Sequence, residues 1–148
     1  MKQLAELLLF LHLFGNGHAS VAYATILPPP PPTIIQMVNI EREKVGLNKL
    51  TTSLQLTNSA QTKCEDMVAK DYWDHISPDG TTPWYFIESA GYYYRYAGEN
   101  LCRIGDDTGC MEGWMNSSKH KENILAPEFR EMGIGYCKDM IVQHFGAK

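Results

Sequence analysis

The sequence predicts an α+β domain, and three observations predict it. Apolar residues recur every three or four positions over 34–41, 53–67 and 108–116. Apolar alternation replaces that spacing over 132–145. Gly- and Pro-containing turn clusters punctuate the chain between these stretches. Helices first and paired antiparallel strands last exclude the strand–helix alternation of a parallel sheet.

In chain order, the first feature is a leader. Lys2 gives a positive end, Leu7 to Phe14 form an apolar run that includes His12, and Ala22-Tyr23-Ala24 offers the small-x-small pattern of signal peptidase. Residues 1–24 therefore read as a signal peptide. The run is well short of the roughly 20 residues that span a bilayer. An uncleaved N-terminal anchor is the alternative, because Glu6 sits beside the apolar run. Residues 25–32 read as a linker, since the run Pro28 to Pro32 cannot join helix or sheet ladders and adopts a stiff polyproline II form. The domain then occupies 33–148.

Thr33 is placed to cap a first helix through Ile34, Met37, Val38 and Glu41, ended at Gly46. Ser53 caps a second, with Leu56, Ala60, Cys64 and Met67 on one buried stripe. A turn-rich loop, Asp74 to Gly80, follows. Thr82 and Pro83 open a short third helix closed at Gly91. An aromatic stretch from Tyr92 to Tyr96 leads to Gly98-Glu99-Asn100, with Gly98 expected to permit a backbone bend. A fourth helix is expected from Thr108 to Asn116, and a last helical turn, capped by Ser117 or Ser118, carries His120 and Asn123. Met132–Cys137 and Met140–Phe145 form a hairpin about Lys138-Asp139. Trp73, Trp84 and Trp114 read as core anchors.

Composition narrows the function. The chain has 148 residues, 44% hydrophobic and 20% charged, which suits one folded domain and is too short for two. With a net charge of −4 and scattered Lys and Arg, no patch exists to neutralise phosphates or anionic lipid. Nucleic acid is therefore excluded as a partner. Cys64, Cys102, Cys110 and Cys137 all follow the leader, and an even count in an exported chain points to two disulfides. Four cysteines allow three pairings. Nearness in sequence favours Cys102 with Cys110, leaving Cys64 with Cys137.

The polar residues that stand out are His75, Glu99 and His120, each in a turn-rich segment. Neutral imidazoles and a carboxylate oxygen are a ligand set that zinc accepts, with a further position open to water. For any one of these histidines the plain alternative is a hydrogen-bonded structural residue. His12 and His18 fall in the leader, and His144 lies in a predicted strand.

The words around these residues resemble a known family. His75-Ile76-Ser77-Pro78-Asp79-Gly80, Gly98-Glu99-Asn100-Leu101, Trp114 through Leu125, Gly133-Ile134-Gly135-Tyr136 and Gln143-His144-Phe145-Gly146 resemble, in order, the blocks of the CAP superfamily. That superfamily holds the cysteine-rich secretory, antigen 5 and pathogenesis-related proteins, or SCP domains. Asn39, Arg42, Gly46-Leu47 and Leu50 fit its opening helix. The form of the Trp114 block is similar to that of bacterial single-domain members.

The resemblance implies a three-layer α-β-α sandwich, with a short antiparallel sheet between helices and His75, Glu99 and His120 meeting in a central cleft. In many eukaryotic members a second glutamate joins them; the matching position in this chain is Ser117. Glu112 is a doubtful replacement, about 200° round the helix from Trp114 at ~100° per residue. The implied function is an exported binding or interaction module whose cleft holds zinc or another divalent cation, or a small ligand. Its partner would be a small molecule, a lipid or a cell-envelope component, with the protein secreted or held in the envelope or periplasm as a monomer. The alternative is a metal-dependent, peptidase-like hydrolase with Glu99 as candidate base beside His75 and His120. The missing glutamate weighs against an enzyme. Ser117 and Ser118 also lie too near His120 in sequence, with no third orienting residue, to form a triad. A structural envelope protein, its polar cluster merely holding loops, is the third reading.

Overall fold

The computed structural model describes residues 32–103 and 106–148. The signal peptide and nearly all of the proline-rich linker lie outside the described residues. Nine elements follow: α1 Ile34–Lys44, β1 Thr51–Thr52, α2 Leu54–Ala69, α3 Pro83–Ser89, β2 Tyr96–Cys102, α4 Asp107–Asn116, α5 Ser118–Ile124, β3 Glu131–Cys137 and β4 Met140–Ala147.

The helix starts obey local capping chemistry. Thr33 and Gln36 satisfy each other's backbone N–H in a capping box before α1, and Ser53 Oγ accepts from the Leu56 N–H at the start of α2. Pro83 opens α3 at N1. The fourth helix starts one residue before the expected Thr108. Asp106 is the better cap there, its carboxylate accepting from the Gly109 N–H at 2.7 Å.

The strands form one sheet in the order β1-β3-β4-β2, with β3–β4 and β4–β2 antiparallel and the two-residue β1 parallel to β3. The hairpin lies where the alternation places it. Strands β1 and β2 are additions: the 96–102 segment does not alternate apolar with polar, because its Glu99 and Asn100 are both buried.

Successive strand residues face opposite layers. From β3 and β4, Met132, Ile134, Ile141 and Phe145 pack with Ile34 and Val38 of α1, Met111 and Trp114 of α4, and Ile124 of α5. Met140 and Val142 of β4, with Leu101 of β2, pack against Ala60, Cys64 and Met67 of α2. Helices thus cover both faces of the sheet, as a three-layer α-β-α sandwich requires.

Two glycines let α2 lie directly on β3. A Cβ on Gly133 would stand 2.1 Å from the Thr57 nitrogen, and one on Gly135 would stand 2.4 Å from the Ala60 carbonyl carbon. Gly98 is needed for space, and not for the bend the sequence reading expected: it lies in β2, where a Cβ would meet the Phe129 ring at 2.8 Å.

Disulfides join Cys64 to Cys137 and Cys102 to Cys110, with Cα separations of 5.9 and 5.6 Å. This is the pairing that sequence nearness favoured. Of the three tryptophans only Trp114 is buried. Trp73 and Trp84 are partly exposed, because each lies outside the apolar stripes of α1, α2 and α4. No helix among the described residues is long and apolar enough to cross a membrane.

Candidate functional site

The site is built on β2, the strand at the sheet's edge. Glu99 sits in the middle of β2 and is buried, facing the α2 side of the sheet. Its Oε1 is 2.6 Å from Nδ1 of His75, which stands on the loop after α2. Its Oε2 is 2.9 Å from Nε2 of His144, its register partner on β4. His144 is fully buried, and its Nδ1 is 2.7 Å from the hydroxyl of Ser59 on α2.

Burial pushes the Glu99 carboxyl up. The hydrogen bonds from His144 and His75, with the positive charge of Lys63, outweigh burial and hold it below the usual glutamate range. An ionised carboxylate only accepts hydrogen bonds, so His75 donates through Nδ1–H and leaves Nε2 free. The Glu99 hydrogen bond raises the His75 pKa above the ordinary imidazole value, against the opposing pull of burial.

His120 approaches β2 from the other layer. It lies on α5, where its Nδ1 is 2.9 Å from Ser117 Oγ. Ser117 is the N-cap residue of α5, yet its hydroxyl makes no cap bond and serves the imidazole instead. Ser117, at the position where the family resemblance implies a second glutamate, thus gives His120 a polar partner. Burial, followed by the charges of His75 and Lys119, lowers the His120 pKa. Asn100 and Asn123 stitch α5 to β2: the Asn100 side chain donates to the His120 carbonyl, and that of Asn123 to the Glu99 carbonyl.

An open cleft of about 350 Å³ runs beside these groups, lined by His75, Glu99 and Asn123 and walled by Ile76, Pro83 and Trp84. His120 is outside this lining. Glu112 is elsewhere, in a groove between α1 and α4 with Met37, Ile40, Met111 and Met115. Among the described residues no three His, Cys, Asp or Glu side chains are grouped to hold a metal ion directly. The donors left free by the hydrogen bonding are the two Nε2 atoms of His75 and His120. With both its oxygens engaged, Glu99 serves as the partner that fixes the His75 ring.

His144 is the site residue that sequence reasoning set aside. Its strand position was read correctly; its pairing with Glu99 depended on β2, which the sequence did not disclose.

The family model of the cysteine-rich secretory proteins, or CAP, matches residues 35–144. The chain belongs to the CAP family. It is 40% identical over 107 residues to the uncharacterized protein YkwD of Bacillus subtilis, a match covering 71% of this chain and 41% of YkwD. A second B. subtilis relative, the uncharacterized membrane protein YlbC, is 28% identical over 113 residues, 76% of this chain and 33% of YlbC. The chain therefore spans less than half the length of either relative. Among solved structures, an extracellular protein of Bacillus anthracis containing an SCP domain superposes with a TM-score of 0.74 at 28% identity, over 78% of this chain and 39% of that one. An outer surface protein of Borrelia burgdorferi shares the fold at 22% identity, with a TM-score of 0.73 over 78% of this chain and 90% of the other. By their descriptions these two structural neighbours are an extracellular and an outer surface protein, and the two disulfides of this domain suit an oxidising location.

Proposed function

We propose that this CAP domain is an exported binding module whose cleft takes a divalent cation, or a small ligand carrying one, through the Nε2 atoms of His75 and His120. The observation that carries this reading is the Glu99–His75 hydrogen bond. A carboxylate on one imidazole nitrogen fixes the tautomer and aims the other nitrogen outward, the arrangement that supports histidine ligands in metal sites. Glu99 belongs to the site by orienting His75. A bound cation would supply Lewis acidity, but two imidazoles are fewer protein ligands than the three of catalytic zinc sites. That favours binding over hydrolysis, with the remaining coordination left to water or to the ligand itself. Export is supported by the leader and by the disulfides.

The test is calorimetric titration of zinc into the oxidised full chain, beside a His75→Ala, His120→Ala double variant. Micromolar binding that the variant loses supports the reading; binding that the variant keeps contradicts it. A peptide substrate turned over only in the zinc-loaded wild type would favour the hydrolase instead.

A second reading rests on the groove of about 320 Å³ between α1 and α4. Its Met37, Ile40, Met111 and Met115 suit an apolar chain, since methionine adapts to irregular apolar surfaces. Displacement of a fluorescent fatty acid, lost in Met111→Glu, would support it.

A further inference from the structure

Lys63 is fully buried in the middle of α2, although lysine is almost never fully buried unless paired. Among the described residues no carboxylate stands within ion-pair distance of it. Its ammonium donates instead to Tyr72 OH at 2.9 Å, the Asp74 carbonyl at 3.0 Å and the His75 carbonyl at 2.8 Å. An ammonium has three hydrogens, so all of its donors are matched. The rings of Tyr72 and Phe86 lie 4.6 and 5.6 Å from the nitrogen and help to offset its desolvation.

The same helix grips the loop further along. Asp66 accepts from Tyr72 OH at 2.6 Å and from Ser77 Oγ at 2.8 Å, and Lys70 bridges Asp66 and Asp79. Positions 63, 66 and 70 recur at helical spacing, so one face of α2 binds the loop from Tyr72 to Asp79. Asp66 and Lys70 hold the side chains of Tyr72, Ser77 and Asp79. Lys63 alone reaches the backbone of His75.

Burying an ammonium costs several kcal/mol, and a methionine would fill an apolar interior without that cost. The compensation at Lys63 goes to the backbone oxygens of the residue that faces the cleft and of its neighbour. We infer that Lys63 is a positioning residue of the cleft: by holding the Asp74 and His75 carbonyls it sets the His75 ring so that Nδ1 meets Glu99 and Nε2 faces the ligand. The ligand part of this inference rests on the function proposed above; the ring geometry does not.

The experiment is nitrogen-15 NMR of the histidine rings in the oxidised, metal-free full chain, wild type against Lys63→Met. The wild type should show His75 as the Nδ1–H tautomer with a downfield, hydrogen-bonded ring proton. Lys63→Met should lose or broaden that proton while the His144 ring signals, held by the sheet and Ser59, stay in place. Zinc affinity should also fall about tenfold. Loss of both rings' signals would mean a general structural role and would overturn the inference, as would an unchanged His75. Should Lys63→Met not fold, the shorter Lys63→Gln withdraws the donors from both carbonyls, leaves the Tyr72–Asp66 bond in place and is judged the same way. A wild type that binds no zinc would sink the ligand reading while leaving the ring signature to decide this one.

Discussion

Glu99 and His144 face each other across β2 and β4, and the carboxylate lies 2.9 Å from the imidazole Nε2. Through its other oxygen Glu99 holds His75 at 2.6 Å. One buried carboxylate therefore links a histidine locked inside the sandwich to a half-exposed histidine at the cleft. The inner partner supplies rigidity, and the outer one inherits it.

Removing the inner partner should cost stability. His144→Leu strands the Glu99 Oε2 in the interior, and loss of one member of a buried, charge-assisted pair costs about 3 kcal/mol. Urea unfolding at neutral pH, with both disulfides intact, measures it. A change below about 1 kcal/mol would show that the pair is not closed in the native protein.

The two proposed ligand histidines should respond to pH in opposite senses. His75 has a raised folded pKa, so its contribution is fully present below the ordinary imidazole value and is lost as pH rises through the folded value. The advantage in melting temperature of wild type over His75→Gln should therefore shrink on going from mildly acid to mildly alkaline solution. His120 is lowered, so the fold favours its neutral form and loses stability as pH falls through the folded value. His120→Gln should gain on wild type in acid. Parallel pH profiles for the two variants would contradict this assignment.

Gly133→Ala should be among the most damaging small changes. The added methyl would meet the backbone of Leu56 and Thr57, which cannot rotate away, so α2 must lift from the sheet. A cost of about 3 kcal/mol, the upper end for overpacking, is expected in chemical denaturation.

The two disulfides should differ in worth. Cys64 and Cys137 are 73 residues apart and Cys102 and Cys110 only 8. Loop-closure entropy then assigns roughly 4 kcal/mol to the first bridge and roughly 2.5 to the second. Paired Cys→Ala variants compared by unfolding midpoint would establish the order.

Much of this was legible because it is local. The caps at Thr33 and Ser53, the α2 stripe and the β3–β4 hairpin all depend on residues within a turn or two of one another. His75, Glu99 and His120 could be singled out by type and by the words around them. The role of Glu99 could not, because it depends on long-range pairing. β2 is buried on both sides and carries Glu99 and Asn100 where a strand pattern expects apolar residues. Without β2 nothing connects Glu99 to His144. Lys63 was hidden for another reason: at ~100° per residue it lies beside Leu56 on the buried stripe of α2, where a lysine has no local partner, and only the folded loop from Tyr72 to His75 supplies the acceptors for its ammonium.

The most direct test of the cleft follows the imidazole nitrogen resonances of the oxidised full chain as zinc is added. The account predicts that the Nε2 signals of His75 and His120 move together and saturate, while both nitrogens of His144 stay where they began. Unchanged His75 and His120 signals, or a shift at His144 in their place, would contradict it.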